Sequence, residues 1–287
     1  MKNIDTLVND IYSLFDLTNR PDLSKTEANK ILEQLGKEIK ECLFDYLYNE
    51  PRGKNNLRLS AIGKPDRQLW YDMKNSNKEK QFTPATRIKF LYGHMLESLL
   101  IALTKLAGHT VTEEQKEVKV QGVVGHQDCR IDGVLVDVKS ASASAFKKFS
   151  HGTLREEDPF GYIAQISAYA EAHGDKEAAF FAIDKQNGSL ALLKLHDMEM
   201  INAKDRIQHL KKVVVQDVKP QRCYPDVPDG ASGNFKLSIG CVYCSYKREC
   251  WADANEGKGL RGFKYSKGIR HLTQVKKLPN VEEVNVS

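Results

Sequence analysis

Hydrophobic residues recur at steps of three and four positions in two long segments of the chain, a spacing that predicts amphipathic helices. The helix nearer the C-terminus is expected to span residues 84–107, with Thr83 as its N-cap, Pro84 as its first residue and Gly108 as the residue that ends it. The first helix spans residues 26–48, and its apolar face comprises Ile31, Leu32, Leu35, Ile39, Cys42, Leu43 and Tyr46. The residues between the two helices, 49–82, are polar and irregular.

The hydrophobic period changes to two after Gly108, which predicts strands. Asp132-Gly133 and Asn187-Gly188 each separate two such runs, and both dipeptides favour tight hairpin turns. The predicted elements are a strand at 109–120, a hairpin at 123–139, a helix from 158 to about 174, a hairpin at 177–195 and a helix at 198–213. This mixed order predicts a central sheet flanked by helices, in the α/β or α+β range.

The hydrophobic content and its distribution indicate a folded protein without a membrane-spanning helix. Hydrophobic residues make up 41% of the 287 residues and are spread along the chain, so it can bury a sizeable core. No run approaches the 18 to 20 apolar residues of a spanning helix, and no basic–apolar–small signal opens the chain. We therefore expect a soluble, cytoplasmic protein without a membrane partner.

The net charge of +5 is modest, but basic residues are concentrated in two stretches. Residues 51–89 hold ten Lys or Arg against three Asp or Glu, and residues 255–277 hold seven against one. Aromatic residues are interleaved with them, at Trp70, Tyr71, Phe82, Phe263 and Tyr265. Such stretches are typical of surfaces that bind nucleic acid through phosphate contacts and base stacking. A solvated charged surface is the alternative interpretation.

The hairpin at 123–139 carries charged residues within strands that are otherwise apolar enough for a protein core. Residues two apart on a strand share a face, so Asp137 and Lys139 lie together and Val136 and Val138 lie on the other face. Asp128 joins the first pair if the strand register allows it. Two neighbouring carboxylates repel unless a cation lies between them, and oxygen ligands suit Mg²⁺ or Mn²⁺.

The role of Lys139 follows from its charge. An ammonium is no metal ligand, but it can orient or deprotonate a water, or offset charge on a phosphate in the transition state. The alternative interpretation is an edge hairpin with ordinary solvated charges. It fits poorly, because the surrounding strands are as apolar as core strands.

The stretch GHQDCRIDGVLVDVKS resembles motifs II and III of the PD-(D/E)XK nuclease superfamily, with Asp128 as the first acid and 137–139 as the D-x-K. Two further pieces resemble the RecB-like exonuclease branch. The segment GHMLE carries His94 after a glycine and Glu97 one turn later, and QISAY supplies Gln165 and Tyr169 as a Q-x-x-x-Y. These motifs occur in the family's order along residues 84–250.

The resemblance implies a role for each of these residues. Asp128 and Asp137 would bind the metal together with the Val138 carbonyl and His94, with Glu97 as the alternative ligand or as support. Lys139 would act on the attacking water. Gln165 and Tyr169 would bind the DNA backbone or steady the site. Asp132, which falls at the turn with Gly133, is assigned to turn formation.

Three of the six cysteines form a C-x2-C-x5-C cluster, Cys241, Cys244 and Cys250, in a loop-rich region that begins near residue 220. Clustered thiolates can bind Zn²⁺ or an iron–sulfur cluster, which usually take four ligands. The spacing resembles the cysteine triad of the AddB and CRISPR-associated iron–sulfur nucleases, which favours a [4Fe–4S] cluster. Their upstream fourth cysteine is absent here. Cys223 is the preferred fourth ligand and Cys42 the other candidate.

Two further expectations accompany the cysteine interpretation. A site made wholly of local cysteines favours zinc, whereas a distant fourth ligand favours the cluster. Cys129 alternates with Asp128 and is expected to point into the core. The structural alternative for the triad is three free thiols in a loop.

Taken with the resemblance, the sequence predicts three regions: a basic, helical N-terminal region at 1–83, an α/β PD-(D/E)XK core at 84–215 and a cysteine-rich metal-binding region with a basic tail at 216–287. The expected function is a Mg²⁺- or Mn²⁺-dependent DNA exonuclease acting on single strands or DNA ends, as in recombination, repair or phage DNA metabolism. A structure-specific endonuclease of the same superfamily and a non-catalytic nucleic-acid-binding module are the alternatives.

Overall fold

The computed structural model describes residues 2–18, 23–49, 56–75, 84–266 and 268–285. Helices α1 to α10 occupy Leu7–Ser13, Lys25–Tyr48, Asp66–Lys74, Pro84–Leu106, Ala143–Ser150, Tyr162–His173, Ala203–Val215, Ile239–Val242, Lys247–Cys250 and Ala254–Gly257. Strands β1 to β12 occupy Val111–Thr112, Glu117–Val120, Val123–His126, Cys129–Ile131, Val134–Ala141, Glu177–Asp184, Leu190–His196, Val227–Pro228, Phe235–Lys236, Arg261–Tyr265, Gly268–Gln274 and Glu283–Val284. Over these residues, no helix is long and apolar enough to cross a membrane.

The chain forms two compact units rather than the three regions predicted. The first contains Met1–Gly63 and Gln81–His209, and the second contains Lys64–Lys80 and Leu210–Ser287. Helix α3 belongs to the second unit because its aromatic residues find their partners there. The Tyr71 ring stacks on that of Tyr246 at 5.0 Å, and Trp70 Nε1 donates to the Gln216 carbonyl at 2.8 Å.

A mixed five-stranded sheet, in the order β1-β4-β5-β6-β7, forms the centre of the first unit. β5 and β6 are parallel, and the other neighbours are antiparallel. Helices flank the sheet as predicted, since α1 and α4 pack with one face and α5 and α6 contact β5 and β6. Cys129, Val136 and Val138 are buried in the core on the α1 and α4 side, as expected for both valines and the cysteine.

The strand expected at 109–120 is two strands in different sheets. β1 joins the central sheet, whereas β2 pairs with β3 in a separate hairpin. Glu113 and Gln115, both with positive φ, redirect the backbone between them. The predicted hairpin at 123–139 is therefore divided as well, because β3 pairs with β2 and only β4 pairs with β5.

The predicted turns are confirmed. Asp132 and Gly133 have φ of 50° and 89°, as a two-residue hairpin turn requires. The second turn lies where expected but is a four-residue connection, 185–188, in which Gly188 has φ of 76°. The helix expected from 158 begins later, at Tyr162, because the residues before it form a turn that ends at Gly161 with φ of 72°. The Thr83 cap lies outside the described residues.

Helix α2 confirms the first helix prediction, but its apolar face is not buried in the core. No residue of α2 is fully buried. The helix packs along α4, where Leu32 and Leu43 of the predicted face stay exposed and its other members are half-buried. The amphipathic pattern thus fixed the helix without revealing how much of its apolar face the fold would cover.

A second sheet, which the sequence analysis missed, forms part of the second unit. Its order is β12-β10-β11-β9-β8, and every pair is antiparallel. β8, β9 and β12 have two residues each, too short for a period-two pattern to be recognised. The region after residue 220 is therefore less irregular than its Gly and Pro content indicates.

Asp132 does more than form the turn assigned to it. Its carboxylate accepts a hydrogen bond from Thr110 N at 3.0 Å and contacts Nδ1 of the buried His109 at 2.6 Å. Replacing Asp132 with alanine should lower the free energy of unfolding by about 2 kcal/mol, because it leaves a buried imidazole without that partner. Urea unfolding measures the effect. Glu117→Ala, at an exposed carboxylate of the β2–β3 hairpin, should change stability much less, and equal losses would contradict the assignment.

Candidate active site

The register between β4 and β5 decides whether the acidic residues meet. Cys129 pairs with Val136, so Asp128 stands opposite Asp137 one step beyond the last paired residues. The Asp128 carboxylate reaches across and accepts a hydrogen bond from Val138 N at 2.7 Å. The antiparallel ladder thus places both aspartates at the same end of the hairpin, which the sequence had left open.

Asp137 and Lys139 share a face of β5 and form an ion pair. Lys139 Nζ lies 2.5 Å from Asp137 Oδ2, and the Asp137 side chain is almost fully buried. The other carboxylate oxygen, Oδ1, accepts a hydrogen bond from Gln165 Nε2 at 3.0 Å. Gln165 Nε2 also lies 3.4 Å from the hydroxyl of Tyr169, one turn later on α6. Helix α6 therefore holds the carboxylate of Asp137 in place.

Burial and neighbouring charges raise the pKa of three carboxylates in this region. Burial raises the pKa of Asp128 well above its usual range, and the charges of Asp137 and Glu97 raise it further. Burial likewise raises the pKa of Asp137. The pKa of Glu97 rises to about 7, first through burial and then through the charge of Asp137. Buried carboxylates that disfavour one another's ionised forms are the arrangement that a bound cation stabilises.

Lys139 is held as an ammonium. Burial lowers its pKa, but the charges of Asp137 and Asp128 outweigh burial and raise the pKa above its ordinary value. Its Nζ also lies 4.9 Å from the centre of the Tyr162 ring, a cation–π contact. A lysine kept protonated in this way can offset negative charge.

The predicted site residues do not all converge. Glu97, Asp128, Asp137, Lys139, Gln165 and Tyr169 form one connected group. His94 is exposed and its ring lies 5.8 Å from that of Tyr46; in the described part of the chain it makes no hydrogen bond or ion pair with these acids. Of the two helix residues, Glu97 rather than His94 is electrostatically coupled to Asp137. Val138 contributes its backbone N–H to Asp128.

Tyr169 fits only one of the two roles expected of it. It is 1% exposed, packed so closely that a Cβ on Gly125 would lie 2.9 Å from its ring. A side chain buried to this extent cannot reach a DNA backbone, so Tyr169 steadies the site through Gln165.

Two site residues were missed by sequence reasoning. Tyr162 precedes Gln165 and Tyr169 at steps of three and four, so a helical-face pattern could have found it. Gln115, whose Nε2 donates to Glu97 Oε1 at 2.7 Å, lies in a positive-φ turn that no motif signals.

The donor chemistry of this group fits a divalent cation such as Mg²⁺ or Mn²⁺, since it offers carboxylate oxygens at buried positions. Asp137 Oδ2 makes no well-formed hydrogen bond despite its burial, and the Lys139 ammonium is its close contact. Among the described residues, no three His, Cys, Asp or Glu side chains are placed so that they could hold a metal ion as they stand. Binding one would therefore require the ammonium to move from Asp137 Oδ2.

The second unit brings four cysteines around one small cavity of about 20 Å³. Its lining includes Cys223 together with all three members of the cluster, Cys241, Cys244 and Cys250. The pKa of Cys244 rises to about 11, mainly through burial and to a smaller extent through the charges of the other three thiols. Burial also raises the pKa of Cys223 and Cys250. These thiols do not hold a metal ion as they stand, so metal binding would have to draw them closer together and release their protons, which makes any affinity pH-dependent.

Cys42 and Cys129 lie in the first unit. Cys42 is half-buried on α2, where burial and the nearby Asp45 and Glu97 raise the pKa of its thiol. Cys129 is buried in the core of the central sheet. Of the two candidates for a fourth ligand, Cys223 is the one that lines the same cavity as the triad.

The basic stretches are less available than their composition suggests. In the second unit, Arg261 pairs with Glu283 at 2.7 Å and Arg270 with Asp229 at 2.7 Å. Phe263 is 1% exposed, so it cannot stack on a base as expected. Tyr71 is buried as well. Phe82 and parts of 51–89 lie outside the described residues.

No protein-family model matches the chain, and no curated protein matches it in sequence. Solved structures similar to it include the protein SSO0001, with a TM-score of 0.44 and 14% identity over 75% of this chain and 93% of that one. An alkaline exonuclease from Laribacter hongkongensis has a TM-score of 0.38 and 15% identity, over 56% and 84%. A phage-related exonuclease from Haemophilus somnus 129PT has a TM-score of 0.29 and 12% identity, over 71% and 88%. Likenesses this distant carry no argument about function.

Proposed function

We propose that the protein is a metal-dependent deoxyribonuclease whose active site lies in the first unit. The observation that supports this proposal is the convergence of Asp128 and Asp137 beside Lys139 at one end of the β4–β5 hairpin, with Glu97 coupled to them. A buried Asp137 with two half-buried acids, Asp128 and Glu97, beside a held ammonium has little structural use, since apolar residues would pack there at lower cost.

Each residue of the candidate site would have its own role in phosphodiester hydrolysis. Asp128 and Asp137 would hold Mg²⁺ or Mn²⁺, with Glu97 as the third carboxylate. The bound ion would supply Lewis-acid polarisation of the phosphate and stabilise charge on the leaving oxygen. Lys139 would offset charge on the phosphate in the transition state or orient the attacking water. Gln165 would keep Asp137 oriented through its 3.0 Å hydrogen bond.

Within this reaction class we propose exonucleolytic cleavage of DNA from a free end, in keeping with the RecB-like arrangement of Gln165 and Tyr169. A labelled linear single strand should be shortened in the presence of Mg²⁺ and stay intact in EDTA. A closed circular strand of the same sequence should survive, because it offers no end. Cleavage of the circle would replace the exonuclease proposal with an endonuclease, and an intact linear strand in Mg²⁺ and Mn²⁺ would overturn both.

The second unit, we propose, holds a structural Zn²⁺ on Cys223, Cys241, Cys244 and Cys250. All four thiols come from one region and border a single cavity, which favours zinc over the [4Fe–4S] cluster that the resemblance to iron–sulfur nucleases implied. The thiolates would stabilise a segment of short helices and strands.

A further inference from the structure

An exposed aromatic residue stands beside the candidate active site without an assigned role. Phe160 is 60% exposed, in the turn that precedes α6. Its ring stacks against that of Tyr162, with centroids 5.5 Å apart and an interplanar angle of 30°. The same Tyr162 ring carries the Lys139 ammonium at 4.9 Å. The Tyr162 ring therefore lies between Phe160 and Lys139 and contacts both.

The Tyr162 ring that supports Phe160 is fixed by the core. It lies 6.1 Å from the Phe149 ring and 6.3 Å from the Phe180 ring, and both phenylalanines are buried. Tyr162 thus contacts Lys139, Phe160 and the core at once. Phe160 extends this aromatic group outward, and its ring is the member that meets solvent.

The turn that carries Phe160 is held in one conformation. The Asp158 carboxylate accepts a hydrogen bond from Ile163 N at 2.8 Å. Gly161, with φ of 72°, lies so close to Gly63 that a Cβ on either would fall within 2.4 Å of the other's backbone. An apolar ring left exposed on a rigid turn loses little conformational entropy when a flat ligand stacks on it.

We propose that Phe160 is a stacking platform for an unpaired nucleobase of the DNA strand whose phosphate lies at Lys139. The inference rests on the proposed nuclease function and names its substrate more narrowly, as a strand that is single-stranded at the cut. A base paired in a duplex has its faces covered by its neighbours, whereas an unpaired base can lie on the exposed ring. Stacking of this kind is tolerant of sequence, since every base has a flat face.

Binding can be tested without relying on hydrolysis. In the unaltered protein without Mg²⁺ or Mn²⁺, which prevents metal-dependent hydrolysis and keeps the Asp137–Lys139 pair in place, binding is measured by anisotropy. The ligands are a fluorescent single-stranded oligonucleotide and a set in which one abasic site is moved along the strand. At one position the missing base should weaken binding about tenfold. Adding Phe160→Ala should weaken binding of the intact strand by about the same factor and remove the effect of the abasic site.

Three further variants test whether the effect depends on an aromatic ring at this position. Phe160→Trp keeps a flat ring and should retain the abasic effect, whereas Phe160→Leu is apolar without a ring and should lose it. Phe15→Ala removes an equally exposed phenylalanine, 63% exposed beside α1, and should leave binding unchanged. Thermal unfolding checks that each variant is folded.

Two outcomes would overturn the inference: an abasic effect that persists in Phe160→Ala, or intact-strand binding that Phe160→Ala does not weaken. Failure of the proposed function is a separate result, because it would appear as absence of hydrolysis in the unaltered protein. The binding comparison would still decide the role of Phe160 in that case.

Discussion

Asp137→Asn should lower the rate of DNA hydrolysis by about 10³-fold or more, the largest loss we expect from one substitution. The carboxylate contacts Lys139 through one oxygen and Gln165 through the other, so the amide disturbs the proposed metal ligand and the lysine together. The substitution preserves shape, and DNA binding should persist because phosphate contacts elsewhere are unchanged. Single-turnover cleavage of a labelled strand and anisotropy binding measure the two effects separately.

A matched control lies at the end of the neighbouring strand. Asp184 is also a buried aspartate, but its carboxylate accepts a hydrogen bond from Gln186 N in the β6–β7 turn. Asp184→Asn should keep hydrolysis within a few-fold of the unaltered protein. Mg²⁺ should also raise the melting temperature of the unaltered protein and not of Asp137→Asn, since an ion that binds only the folded state stabilises it. Hydrolysis retained in Asp137→Asn would refute the site assignment.

Cys223→Ser should abolish stable metal binding by the second unit, whereas Cys42→Ser should leave it unchanged. The unaltered protein should contain about one zinc per chain. Losing one of four thiolates should let a chelator remove the ion and lower the free energy of unfolding by at least about 3 kcal/mol. Metal analysis on protein purified without oxygen, together with its visible absorption spectrum, measures the content.

The pair of cysteine variants separates the open alternatives. Metal loss in Cys42→Ser and not in Cys223→Ser would reverse the assignment of the fourth ligand. Iron with a broad visible absorption would replace zinc with an iron–sulfur cluster on the same cysteines. A metal content near zero in the unaltered protein would leave the triad as free thiols.

Most of the candidate active site could be predicted from local patterns. The D-x-K at 137–139 puts its two charged residues on one face because strand alternation is a property of the backbone. Gln165 and Tyr169 meet because residues four apart on a helix are neighbours, and their 3.4 Å contact bears this out. His94 and Glu97 share a helix face by the same rule, yet only Glu97 is coupled to the acids. Which residues share a helix face follows from their spacing in the sequence. How close each of them lies to the acids on β5 depends on how α4 packs against the sheet.

The domain organisation, in contrast, could not be predicted from local patterns. Residues 49–82 carry no strong period, so nothing in them indicated that α3 pairs with the second unit. Three strands of the second sheet, β8, β9 and β12, have two residues each, too few for a pattern, and β9 pairs with the distant β11. The hairpin of β10 and β11, with five and seven residues, is local and was missed as well. Long-range pairing of short strands is decided by which partners the fold brings near.

The sequence by itself determined the helices and hairpins with strong periods, the Asp132-Gly133 turn, the facing of Asp137 with Lys139 and the cysteine spacing, because each depends on residues a few positions apart. Only the tertiary structure decided that Asp128 stands opposite Asp137, that Cys223 borders the same cavity as the triad and that Phe263 is buried. Register, cavity lining and burial depend on contacts between distant segments. Those contacts are selected by the packing of the whole unit rather than by any short stretch of the chain.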